Sequence, residues 1–304
     1  MMKLNFSSFI GICLVLILIS FGCRKPSNEQ NSSCCSSTIE GTSSFTFSDY
    51  APLSAKPIEV FYHIPPGNNL ASSPILFVFS GNNRNASEYR DAWISLANQY
   101  NILIFAPEFS SFYYPGSEQY MEGNVFDSNG QLNPENIWTF SIVEPLFEYI
   151  KNSTGNTSEK FDLFGHSAGA QFVHRYVIFK NSSSISRAVA SNSGWYTVPD
   201  SLIDYPYGIG NTLFSNADKE LFFSKKLIVH LGENDNNPND PSLRKTPEAN
   251  AQGAHRLARG NHFFTESEQL CNSHSFYYNW EKIQEPNIGH NYILMSEKAA
   301  EILY

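Results

Sequence analysis

From residue 56 onward, short apolar runs alternate with stretches whose apolar positions recur every three to four residues. The runs read as strands at 58–64 (IEVFYHI), 75–80 (ILFVFS), 102–108 (ILIFAPE), 160–165 (KFDLFG), 187–194 (RAVASNSG), 226–232 (KLIVHLG) and 274–281 (HSFYYNWE). They are rich in β-branched and aromatic residues and bounded by turn formers. Helical spacing marks 86–99, 136–151, 168–180, 246–271 and 296–303 between them. Several strands are apolar throughout rather than alternating, so both of their faces need covering, as in a parallel sheet between two layers of helices. The pattern predicts an α/β fold with a doubly wound, mostly parallel sheet.

The pattern changes at the N-terminus. Residues 1–23 (MMKLNFSSFIGICLVLILISFGC) carry one early lysine, an apolar run from Phe9 to Gly22, and then Cys23. The run is shorter than the roughly 20 residues that span a bilayer, so it reads as a secretory signal. Its end resembles a bacterial lipobox with Cys23 as the lipidated residue, although Ser20, Phe21 and the pair Arg24-Lys25 depart from that motif. This predicts an exported lipoprotein anchored to the cell envelope at Cys23, with plain secretion or an uncleaved anchor as the alternatives. Residues 24–48 are Ser/Asn-rich with too little apolar surface to fold, and read as a disordered tether. Cys34 and Cys35 are adjacent within it, a spacing that seldom closes a disulfide, and only Cys271 lies beyond it. Residues 49–304 are then one α/β domain.

Composition adds two exclusions. With 304 residues, 14% aromatic and 16% charged, the chain carries enough apolar material for a large core, which excludes general disorder. Its net charge of -9, without a basic run, argues against nucleic acid as a partner.

Chemistry enters at KFDLFGHSAGAQFVHRY, residues 160–176, where Ser167 stands between Gly165 and Gly169 in an otherwise apolar run. Burying a hydroxyl without a partner costs about 1–3 kcal/mol, so a core strand has no use for it. A strand before and a helix after make the segment a nucleophile elbow, with Ser167 projecting above the sheet. A serine needs a base, and the base needs a carboxylate to fix its tautomer; in the α/β-hydrolases, which this elbow resembles, they follow along the chain in the order serine, acid, histidine. Asp235 follows strand 226–232 at the spacing of such an acid, with Glu233 and Asp240 as rivals. His290 follows Gly289 past the last strand, whereas His63, His166, His174, His230, His255 and His262 lie in or beside predicted strands and helices and His274 at the wrong end of a strand. The oxyanion of the tetrahedral intermediate calls for two backbone N–H groups. Ala168 offers one and Asn82, after strand 75–80, the other, with Asn83 as the alternative to Asn82.

The blocks SGNNRNASEYRDAW, GHSAGAQFVHRY and GENDNN…NIGH resemble the oxyanion, elbow and acid-base segments of the α/β-hydrolase superfamily, in the secreted esterase branch of polyhydroxyalkanoate depolymerases and feruloyl esterases. The resemblance covers most of 56–304. It implies an α/β-hydrolase fold and a Ser-His-Asp hydrolase acting on an ester substrate with no cofactor and no metal. Trp195 falls where related aryl-ester and polyester hydrolases line the acyl cleft, so it is expected either to stack on substrate or to pack beneath its loop. Tyr113, Tyr114 and Tyr120, in the long loop after Glu108, are expected to pack within that loop, with lining of the same cleft as the alternative, and the 246–271 segment is expected to be scaffold. The competing readings are a serine peptidase or amidase on the same fold, and a non-catalytic surface-binding lipoprotein.

Overall fold

A computed structural model describes residues 39–304. The segment 1–23 with Cys23, and most of the expected tether with Cys34 and Cys35, lie outside the described residues. Eight strands form one sheet: β1 (Gly41–Phe47), β2 (Ile58–Ile64), β3 (Ile75–Phe79), β4 (Leu103–Glu108), β5 (Phe161–His166), β6 (Ile185–Ser191), β7 (Leu227–Gly232) and β8 (Trp280–Glu285). Their spatial order is β1-β2-β4-β3-β5-β6-β7-β8, with β1, β2 and β4 antiparallel neighbours and every later pairing parallel.

The chain leaves β3 toward β4 on one side and later returns to β5 on the other. The C-terminal ends of β3 and β5 therefore flank the point where the winding reverses, which is where open α/β sheets bind ligands. Alternate side chains of the central strands feed two cores. Leu76 and Val78 pack with α1 (Ala86–Ala92), α2 (Ile94–Tyr100) and α8 (Tyr292–Leu303). Phe77 and Phe79 pack on the opposite face with α3 (Val143–Thr154), α4 (Ala168–Phe179), α5 (Asn216–Ser224) and α7 (Arg256–Ser273). Two buried faces explain why these strands read as unbroken apolar runs.

Both outer strands differ from expectation. β1 lies within the segment expected to be tether, and it pairs with all of β2. As an edge strand it buries little, so GTSSFTF needs only Phe47 fully covered. At the other edge the strand expected at 274–281 runs instead from Trp280 to Glu285. The aromatics Phe276 and Tyr278 leave the sheet and pack on Phe223. The true strand, WEKIQE, is polar because an edge keeps charge toward water.

Candidate active site

Ser167 joins β5 to α4 with φ 58 and ψ -116. A side chain in that region costs about 1–3 kcal/mol and persists only where its surroundings impose it. The two glycines impose it here. A β-carbon on Gly165 would lie 2.2 Å from the Gly169 carbonyl oxygen, and one on Gly169 would lie 2.0 Å from that of Phe79. Neither position accepts a side chain without pushing α4 off the sheet. Ser167 N–H donates to Ser191 O at 3.0 Å, which ties the elbow to β6. Ala168 opens α4, so its N–H has no acceptor inside the helix.

The loop after β3 comes within contact of the elbow. A β-carbon built on Gly81 would sit 3.7 Å from Ser167 Cβ, and Asn82 and Asn83 line the same cleft as Ser167. Tyr120 Oη donates to Ser80 O at 2.7 Å, so this loop is held through the Ser80 carbonyl. Arg84, in the left-handed region at φ 57, lays its guanidinium 4.1 Å from the Tyr120 ring centroid and donates to Phe109 O and Gly116 O. Tyr113, Tyr114 and Tyr120 are not among the residues lining the cleft: Tyr114 and Tyr120 pack on Phe109 at the start of their own loop but donate outside it, to Lys56 O and Ser80 O, and Tyr113 packs edge-on to Phe112.

Asp235 and His290 meet at the end of β7. His290 Nδ1 lies 2.7 Å from Asp235 Oδ2, with the aspartate side chain 4% exposed and the histidine 22%. The two loops are zipped together by Glu233 N–H to Glu285 O (3.0 Å) and Asn234 N–H to Ile288 O (2.8 Å). Asn192, at φ 50, bridges them: Nδ2 donates to Gly289 O at 3.0 Å and Oδ1 accepts from Gly232 N–H at 2.7 Å. With its proton on Nδ1, His290 keeps Nε2 as an acceptor. Ser167, Asn82, Ala168, Trp195 and His290 all line one cleft of about 440 Å³. Among the described residues no hydrogen bond joins the Ser167 hydroxyl to His290; such bonds often tighten only around substrate. Glu233, a rival for the acid, is exposed, and the other rival, Asp240, is engaged elsewhere.

That engagement is with Arg256. Its guanidinium reaches Asp235 Oδ1 (3.2 Å), Asp240 Oδ1 (3.2 Å) and Ser242 Oγ (2.7 Å), and its side chain is only 3% exposed. The hydrogen bond from Arg256 holds the Asp240 carboxyl well below its ordinary range. The helix expected over 246–271 breaks at Gly253 rather than near Gly260, into α6 (Pro247–Gln252) and α7. His255 Nδ1 accepts from Ala258 N–H and caps α7, which places Arg256 at its first turn. The segment is thus more than scaffold.

The His166 ring lies against His290 at 4.5 Å between centroids, tilted by 43°, and Tyr89 Oη lies 3.2 Å from its Nδ1. Burial first, and then the neighbouring His290 and Arg256, hold it well below the ordinary imidazole range, so it stays neutral. His63 bonds Thr42 and Asn98, His230 bonds Ser191 and Glu285, and His174 bonds Ala170 O and Thr197 N–H, all structural roles. Trp195 is 2% exposed, between the guanidinium groups of Arg175 (4.1 Å to its centroid) and Arg244 (4.7 Å). Arg244, at the cleft wall, has Glu122 Oε1 at 3.5 Å.

No family model matches the chain, and no curated protein matches it. Solved structures do. Poly(aspartic acid) hydrolase-1 from Sphingomonas sp. KT-1 is 37% identical, with 86% of this chain and 98% of that one covered at a TM-score of 0.83. LpqC, a poly(3-hydroxybutyrate) depolymerase from Bordetella parapertussis, is 28% identical, with 88% and 91% covered at a TM-score of 0.83. An S-formylglutathione hydrolase from Agrobacterium tumefaciens, 14% identical over 88% and 95% at 0.55, shares the fold.

Proposed function

Because the chain belongs to the α/β-hydrolases, in the esterase branch that includes these two polymer hydrolases, we propose that it is a serine hydrolase of carboxylic esters, aryl or polymeric esters among them. The observation that carries this reading is the 2.7 Å pairing of His290 with Asp235 at the cleft lined by Ser167. Ser167 Oγ bonds to the ester carbonyl carbon as its proton passes to His290 Nε2, and Asp235 steadies the imidazolium. The N–H groups of Asn82 and Ala168 receive the oxyanion. Collapse breaks the bond to the alcohol, which leaves with the proton from His290. Water then repeats the sequence on the acyl-enzyme, releasing the acid and restoring Ser167.

A second reading is hydrolysis of an amide in an anionic polymer. Two observations favour it: the 37% identical relative is a poly(aspartic acid) hydrolase, and Arg244 brings a guanidinium to the cleft wall of a chain whose net charge is -9. The test uses residues 39–304 against p-nitrophenyl esters of increasing acyl length, aryl esters, a solid polyester and poly(aspartic acid). Ester turnover that is lost in Ser167→Ala supports the first reading. Turnover of poly(aspartic acid) without any ester turnover puts the second first, and no turnover at all favours the surface-binding alternative.

Trp195→Ala is expected to lower the melting temperature, with a cost of about 3–5 kcal/mol, and to reduce turnover of all esters alike, because the ring is wedged between two guanidinium groups. Thermal melts beside KM values decide it: a KM rise confined to bulky aryl or polymeric esters, at unchanged stability, would make Trp195 a substrate contact. We further propose export and lipid anchoring at Cys23. Cys23→Ala should then move the protein out of the membrane fraction, read by fractionation and blotting, with turnover unchanged.

A further inference from the structure

A buried carboxylate that gives one oxygen to an imidazole still needs a partner for the other. In Asp235, Oδ2 faces His290, and among the described residues the only hydrogen-bond partner of Oδ1 is Arg256. The same guanidinium holds Asp240 and Ser242, in the loop that also brings Arg244 to the cleft wall. Asp240 is not joined to His290, yet it shares the cation that fixes the acid. Charge counting gives that sharing a purpose. Arg256 alone would cancel Asp235, whereas Arg256 between two carboxylates leaves one net negative charge facing the imidazolium that forms during turnover.

We propose that Arg256 is a positioning residue, which locks the Asp235 carboxylate toward His290, and that Asp240 supplies the counter-charge that keeps this lock from weakening the acid. The inference rests on the serine-hydrolase reading above. It differs from a substrate-binding role for Arg256, which would act on KM.

The test measures kcat and KM for one p-nitrophenyl ester with the full-length protein in detergent, for wild type, Arg256→Met, Arg256→Lys, Asp240→Asn and the double variant Arg256→Met/Asp240→Asn. Arg256→Met should lower kcat by roughly 30-fold to 100-fold with KM within about twofold, since misorienting one catalytic group costs on that order. Arg256→Lys should recover part of the loss, and Asp240→Asn should cost roughly 3-fold to 10-fold in kcat. The double variant should be no slower than Arg256→Met, because Asp240 acts through Arg256. Melting curves check folding; if Arg256→Met fails to fold, Asp240→Asn, whose side chain is 25% exposed, and Arg256→Lys carry the test. A raised KM at unchanged kcat, or losses that multiply in the double variant, would overturn the inference. Wild-type turnover that persists in every variant defeats this inference alone, whereas a wild type without Ser167-dependent turnover defeats the hydrolase reading as well.

Discussion

Replacing Ser167 with alanine should lower kcat by roughly 10⁴-fold to 10⁶-fold while the protein melts where the wild type does. The size follows from the unity of the arrangement: without Oγ no acyl-enzyme forms, and the little turnover that remains comes from the oxyanion donors and binding. The intact fold follows from the elbow. Alanine keeps the β-carbon that packs near Gly81 and bears the same positive φ. Among the described residues the Ser167 hydroxyl has no hydrogen-bond partner, so its removal orphans nothing. Ester turnover and a thermal melt on the same preparation are sufficient. Turnover like that of the wild type would remove Ser167 as nucleophile.

Asp235→Asn should be nearly as damaging, with kcat falling by roughly 10³-fold to 10⁴-fold. The change preserves shape, but an amide nitrogen cannot accept the proton on His290 Nδ1. The ring then favours the tautomer protonated on Nε2, the atom that has to take the proton from Ser167. Asp240→Asn leaves the 2.7 Å bond to His290 untouched and should cost no more than about tenfold. Steady-state kinetics of the two variants on one ester decide between the carboxylates; the reverse order of damage would make Asp240 the acid.

The central strands and the elbow were legible because their requirements are local. A strand covered on both faces has to be apolar throughout, and a turn as tight as that around Ser167 excludes side chains at Gly165 and Gly169. The contacts that assemble the cleft were not legible, because they join residues far apart in the chain. Arg256 reads as one more polar residue in a helical segment until Gly253 ends α6 and His255 starts α7 anew. Asn192 gave no sign that its amide would bind two loops that meet only after folding. The edge strands were missed or displaced for a different reason: hydrogen bonding along one side, more than burial, keeps them in the sheet, so apolar patterning marks them poorly.

The pairing of β1 with β2 also bears on how the protein is handled. A gene trimmed at residue 49, where composition alone would place the domain boundary, removes the whole of Gly41–Phe47. That bares the ladder-forming backbone of Ile58–Ile64, IEVFYHI, whose Val60, Tyr62 and Ile64 are buried in the intact protein. An uncapped, mostly apolar strand of this kind recruits the matching strand of another molecule. Such a trimmed product should gather into inclusion bodies with Ser167, Asp235 and His290 all still in its sequence, and a lack of turnover would then report misassociation rather than the absence of those side chains.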